Sequence, residues 1–168
     1  MYQRILVPVD GSTTSNAGLA EAIKLAKLTS AHKRVLHVVD EMPLLMSADG
    51  YAAMPGDVFT MLKEAGQAVL EQARLTVHAS GIPVEATLFD SLSGRLCDRV
   101  AEQVQEWGAD VIVLGTHGRR GVGRMLLGSD AEQIVRTATV PVLLVRGTPS
   151  EADHSAATSP TQARLEPT

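Results

Sequence analysis

Five glycines and three arginines crowd the stretch GTHGRRGVGRMLLGS, Gly115 to Ser129, directly after the apolar run Val111-Ile112-Val113-Leu114 and just before a segment of helical period. Glycines let main-chain N–H groups approach an anion closely, and the unpaired amides and dipole of a following helix favour negative charge. A loop that leaves the carboxyl end of a buried parallel strand for a helix N-terminus is where open α/β sheets place ligands. The chemistry predicted is capture of a phosphate, with Arg119, Arg120 and Arg124 adding local positive charge. Asp130 and Glu132 oppose it, because first-turn carboxylates satisfy the helix dipole themselves and repel phosphate. The alternative is a flexible connection with a solvated arginine rim.

Two familiar phosphate fingerprints do not fit. A Walker A loop requires Lys-Ser or Lys-Thr after its last glycine, but Gly118 to Gly123 is followed by Arg124-Met125. The dinucleotide pattern requires a third glycine three residues past a Gly-x-Gly pair, and after Gly121-Val122-Gly123 that position is Leu126. A second strand end, PVDGS at residues 8–12, carries Asp10, which could accept from ribose hydroxyls or an adenine amine, or close a simple Asx turn. In a sheet whose chain starts in the middle, strands one and four are adjacent, so the two loops face each other. His117 is the one candidate base in the glycine loop, and beside Thr116 it is read as shaping the loop or touching ribose. His37 falls inside a buried strand, His32 and His78 near helix ends and His154 in the tail, and no cluster has metal-ligand spacing.

These loops need a scaffold, and hydrophobic period supplies it. Five short apolar runs, at residues 5–9, 35–39, 84–89, 111–114 and 140–145, alternate with helical segments at about 13–29, 57–79, 93–107 and 129–140. Strand-helix alternation implies right-handed crossovers, hence an α/β fold with an open five-stranded parallel sheet covered by helices on both faces. Near-continuous Val/Ile/Leu runs fit that double burial. Ser12 and Ser93 are the predicted N-caps of the first and third helices, Gly81 and Gly108 follow the second and third, and Ser129-Asp130-Ala131-Glu132 matches a capping box.

A chain of 168 residues is read as one domain with a single core, and aromatics at 3% make that core aliphatic. So few aromatics argue against stacking platforms for single-stranded nucleic acid, and 15 basic against 19 acidic residues leave no global field for DNA or an anionic membrane. No stretch approaches the ~20 apolar residues of a membrane span. The N-terminal run Ile5-Leu6-Val7 before Pro8 is too short for a secretion signal, so the expected compartment is the cytoplasm. Cys97, the only cysteine, sits between Leu96 and Val100 and is read as an inert core thiol. Residues 41–56 form a long methionine-rich connection, read either as a mobile insertion or as a lid or partner contact. Residues 147–168, rich in Ala, Ser, Thr and Pro, are expected to be a disordered tail.

Gly115-x2-Gly118-x9-Gly128-Ser129 resembles the Gly-x2-Gly-x9-Gly-Ser/Thr signature of the nucleotide-binding universal stress proteins, and ILVPVDGS, VLHVVD, GADVIVLGTHGR and VPVLLVR accompany it. The resemblance covers residues 1–146. It implies a Rossmann-like sheet of strand order 3-2-1-4-5 and binding of ATP, AMP or ADP, with or without magnesium, between the ends of strands one and four. By position it puts Pro8, Val9 and Asp10 on adenine and ribose, and Val38 on the base. Leu114, Gly115, His117 and Gly118 would line the ribose and phosphate side, with Arg119, Gly128, Ser129 and Asp130 around the phosphates. Asp130 departs from the uncharged residue frequent there. The resemblance further implies a homodimer through the last strand, between Val140 and Val145. The role expected is a regulatory nucleotide binder in stress response; a slow ATPase or phosphotransferase, or a nucleotide-free interaction module, are the alternatives.

Overall fold

The computed structural model describes residues 2–39, 56–90, 95–116 and 127–147. The elements follow one another as β1 (Arg4–Pro8), α1 (Thr13–Thr29), β2 (His32–Val39), α2 (Gly56–His78), β3 (Val84–Asp90), α3 (Leu96–Glu106), β4 (Val111–Gly115), α4 (Ser129–Thr137) and β5 (Val142–Val145). The five strands form one parallel sheet in the order β3-β2-β1-β4-β5, so the chain starts at the centre and β1 adjoins β4, as expected.

Double burial explains the unbroken apolar strands. Ile5 and Val7 of β1, with Val111 and Val113 of β4, pack beneath Leu19, Ala22 and Ala26 of α1 and Leu70, Ala73 and Val77 of α2. The intervening Leu6, Ile112 and Leu114 face Val100 and Val104 of α3 and Ala131 and Ile134 of α4. Alternate side chains of a strand point to opposite faces, so a helix layer on each side requires an apolar residue at every position.

Two strands start more than one residue from their predicted limits. β2 begins at His32, three residues early, because His32-Lys33-Arg34 carries no apolar signal. Arg34 pairs with Glu85 of β3, donates to Gln103 Oε1 at 2.6 Å and stacks its guanidinium 4.8 Å from the Trp107 ring centre. Lys33 is fully buried, its Nζ has no hydrogen-bond partner among the described residues, and burial, helped by Lys27, lowers its pKa from 10.5 to about 8. β5 begins at Val142 rather than residue 140: Pro141 has no N–H to give a ladder, although its carbonyl accepts from Ile112 N at 3.0 Å.

Helix ends divide between the expected and the unexpected. Ser12 caps α1, its Oγ accepting from Ser15 N at 3.1 Å. Ser93 lies outside the described residues; α3 opens from Arg95, whose N–H donates to the Asp98 carboxylate at 3.2 Å. The capping box expected from Ser129 does not form, since α4 takes Gly128 as its N-cap and no side chain among the described residues caps it. Cys97 is buried, and burial and Asp98 push its thiol pKa up, which suits an inert thiol. No helix among the described residues is long and apolar enough to cross a membrane.

Candidate functional site

The switch point between β1 and β4 is where the chain leaves the sheet in two directions, toward α1 and toward α4. The β1–β4 register, Ile5↔Val111 and Leu6↔Ile112, sets the two strand ends side by side at their carboxyl edge when carried onward. Beyond β1 the chain turns through Asp10 and Gly11, whose φ of 79° is the left-handed conformation that glycine adopts without penalty. Asp10 Oδ1 accepts from Ser12 N at 2.9 Å, an Asx turn, and Asp10 N donates to Ser15 Oγ at 3.1 Å. The carboxylate of Asp10 is therefore held in place at the sheet edge, partly exposed.

β4 ends against α1 at very short range. A Cβ on Gly115 would lie 2.7 Å from the carbonyl carbon and oxygen of Thr14, and one on Gly18 would lie 3.1 Å from Gly115 N. Gly115 is thus required by packing, which the glycine-loop reading attributed to ligand approach. The N-terminus of α1 is seated against the end of β4, where the glycine loop begins.

The two ends of that loop meet. Thr116 N donates to Val145 O at 2.9 Å, and Thr116 O accepts from Gly128 N at 2.8 Å. The chain departs at Thr116 and returns to the same place at Gly128. Gly128 N–H is accordingly engaged within the protein and is not a donor for a ligand. What remains is the first turn of α4, the amides of Ser129, Asp130 and Ala131, which no side chain among the described residues caps. Ser129 and Asp130 are exposed. A first turn without a capping side chain at the carboxyl edge of the sheet is an anion-binding arrangement, since its free amides and the helix dipole both favour negative charge. Glu132, the other acid of this turn, accepts from Arg136 at 3.4 Å, which offsets its charge.

Of the residues named from sequence, Pro8, Val9, Asp10, Gly115, Gly128, Ser129 and Asp130 gather around this edge, and Val38 lies in β2 opposite Phe89 of β3. Val9 is 5% exposed and Leu114 5%, so both side chains belong to the core, leaving their main chain to face the edge. His117, Gly118 and Arg119, with Arg120 and Arg124, lie outside the described residues, as do residues 41–55 and the tail from 148. No group of three or more acidic, histidine or cysteine side chains able to hold a metal occurs among the described residues. Sequence reasoning missed Ala131, whose amide is the third of the uncapped turn, and His37, whose Nδ1 is 2.5 Å from the Val9 carbonyl oxygen. Only a correct N-cap assignment would have revealed the first. A polar residue in the otherwise apolar run at 35–39 was the signal for the second.

Comparison with known proteins adds to this geometry. Residues 1–146 match the model of the universal stress protein family. The chain is 33% identical over 147 residues to universal stress protein MJ0531 of Methanocaldococcus jannaschii, covering 87% of this chain and 83% of that one. Among solved structures it superposes with a TM-score of 0.75 on protein MJ0577, at 25% identity, covering 89% of this chain and 99% of the other; MJ0577 is a universal stress protein of the same archaeon. The fold is shared with a universal stress protein from Archaeoglobus fulgidus in complex with dAMP, at 22% identity, a TM-score of 0.61 and coverage of 86% and 98%. It is shared likewise with a universal stress protein in complex with cAMP, at 22% identity, a TM-score of 0.61 and coverage of 88% and 98%.

Proposed function

We propose, from the premise that this chain belongs to the universal stress protein family, that it is an adenine-nucleotide-binding regulatory protein whose ligand is ATP, held where β1 and β4 part. One observation carries the reading: α4 begins at the carboxyl edge of the sheet with Gly128 as its N-cap, and no side chain among the described residues caps its first turn. The amides of Ser129, Asp130 and Ala131 would take phosphate oxygens there, at roughly 1.5–3 kcal/mol for each charge-assisted bond. Asp10, fixed by its Asx turn, would accept from the ribose or the adenine amine. Pro8, Val9, Val38, Leu114 and Gly115 would line the adenosine, with His117, Gly118 and Arg119 on the phosphate side and Gly128 closing the loop rather than donating. Proteins of this fold solved with dAMP and with cAMP support an adenine ligand, and ATP with magnesium is the finer proposal.

The nucleotide-binding unit spans residues 1–146 and works in the cytoplasm. Its output is a nucleotide-dependent conformation or partner surface in the stress response. It pairs as a homodimer through the last strand, Val140 to Val145. In support of that pairing, β5 is an edge strand whose one neighbouring strand among the described residues is β4, and Leu143 and Leu144 are 39% and 38% exposed along it.

Calorimetric titration with ATP and magnesium tests the central point. Binding in the micromolar range, about −8 kcal/mol, is expected. No heat and no thermal shift at millimolar ATP would overturn the nucleotide reading. Phosphate release at ordinary enzymatic rates of about 1–10³ s⁻¹ would replace regulation by catalysis.

A further inference from the structure

The β1–β2 ladder ends at Pro8↔Leu36, while β2 continues beside β3 as far as Val39↔Asp90. Val9 and Asp10 therefore extend past the last rung that main-chain pairing provides on that side. The link that replaces it is a side chain. His37, one residue beyond Leu36 on β2 and 6% exposed, brings Nδ1 to 2.5 Å from the Val9 carbonyl oxygen. A carbonyl oxygen only accepts, so the imidazole carries a proton on Nδ1 and donates it. On the other side of the same peptide, Asp10 N donates to Ser15 Oγ at 3.1 Å. The Val9–Asp10 peptide is gripped at its oxygen from β2 and at its nitrogen from α1.

We propose that His37 is a positioning residue for the adenosine half of the nucleotide site: by holding the Val9 carbonyl it fixes the peptide plane from which the Asp10 carboxylate projects. The inference rests on the nucleotide reading given above and adds to it a residue that touches no ligand. A peptide held at both ends can rotate only by breaking a buried hydrogen bond, so Asp10 meets the ligand already oriented. The phosphate half, built on α4, lies on another element and does not depend on this grip.

The test uses the full chain with His37→Leu and His37→Asn, titrated with ATP and with AMP. His37→Leu is expected to weaken ATP and AMP alike, by about tenfold, because the shared adenosine half loses its orientation. Asn can place its Nδ2–H near the position of the lost Nδ1–H, so His37→Asn is expected to recover most of that affinity. Unchanged affinity in His37→Leu overturns the proposal, as does a loss confined to ATP, or His37→Asn behaving like His37→Leu. Nitrogen-15 spectra of the wild-type imidazole supply a readout independent of folding and of ligand, expected to show Nδ1 protonated; a neutral Nε2–H tautomer overturns the proposal. If the wild-type chain binds neither nucleotide while the spectrum shows Nδ1–H, the nucleotide reading has failed and the hydrogen bond stands.

Discussion

Replacing Lys33 by Met is expected to stabilise this protein, and to do so in a pH-dependent way. Lys33 is fully buried in β2 between the Ile5 and Val84 registers, and its Nζ finds no hydrogen-bond partner among the described residues. Burial, with a smaller contribution from Lys27, lowers its pKa from 10.5 to about 8. At about 1.4 kcal/mol for each tenfold, that difference makes the buried ammonium a cost of about 3 kcal/mol below pH 8. The sign follows from proton counts. Between pH 8 and 10.5 the unfolded chain holds more protons than the folded one, so this residue makes stability rise with pH, and its cost is gone above 10.5. Met keeps an unbranched apolar stem of similar length and removes the charge. Urea denaturation of both chains at pH 7 is expected to give Lys33→Met an advantage of about 2–3 kcal/mol, roughly 5–10 °C in melting temperature. Repeated up to pH 10.5, the advantage should shrink toward zero, because only the wild-type chain loses its burial cost. A variant less stable at pH 7, or an advantage that stays constant with pH, would refute the claim that an unpaired ammonium is buried there.

Gly115→Ala is expected to cost about 1–3 kcal/mol, since its Cβ would meet the Thr14 main chain at 2.7 Å with no flexible atom to yield; urea denaturation unchanged from wild type would mean α1 is not seated against β4. Ser12→Ala should lose about 1 kcal/mol through the missing cap on Ser15 N, and a stability within ~0.2 kcal/mol of wild type would remove that cap from the account. On the nucleotide reading, Asp130→Asn should tighten ATP severalfold by calorimetry, because it removes an acid from the uncapped first turn and leaves the main-chain donors in place. Weaker binding would give the Asp130 carboxylate a direct part in holding the ligand.

The sheet was legible because its central strands β1 and β4 carry near-continuous apolar runs that a helix layer covers on each face, and because Ser12, Gly81 and Gly108 punctuate the helices between the strands. The start of β2 was not legible. His32-Lys33-Arg34 reads as loop by composition, and it becomes strand through Arg34 pairing with Glu85 and stacking on Trp107, contacts made by residues distant in sequence. The site was half legible. Asp10 announces a turn through its own side chain, whereas α4 takes as its N-cap Gly128, whose carbonyl accepts from Glu132 N at 2.8 Å and whose N–H donates to Thr116 O, a closure between residues distant in sequence.

That one-residue shift changes what the glycine stretch can do. With Ser129 as the cap, its hydroxyl would satisfy a first-turn amide, and a ligand would have to displace it. With Gly128 as the cap, no side chain among the described residues takes up the first-turn donors of α4, and Asp130 stands among them. Gly115 meanwhile is committed to α1, and Gly128 N to Thr116. Two glycines of the motif are thus explained by how closely the chain packs and how its loop closes. Their effect on a ligand is indirect: together they place an uncapped helix beside a carboxylate that β2 and α1 hold still. A site built this way is sensitive to main-chain position more than to side-chain identity. On the nucleotide reading, substitutions that shift the Thr116–Gly128 closure should therefore weaken ATP binding, measured by calorimetry, more than removal of any single side chain at the rim.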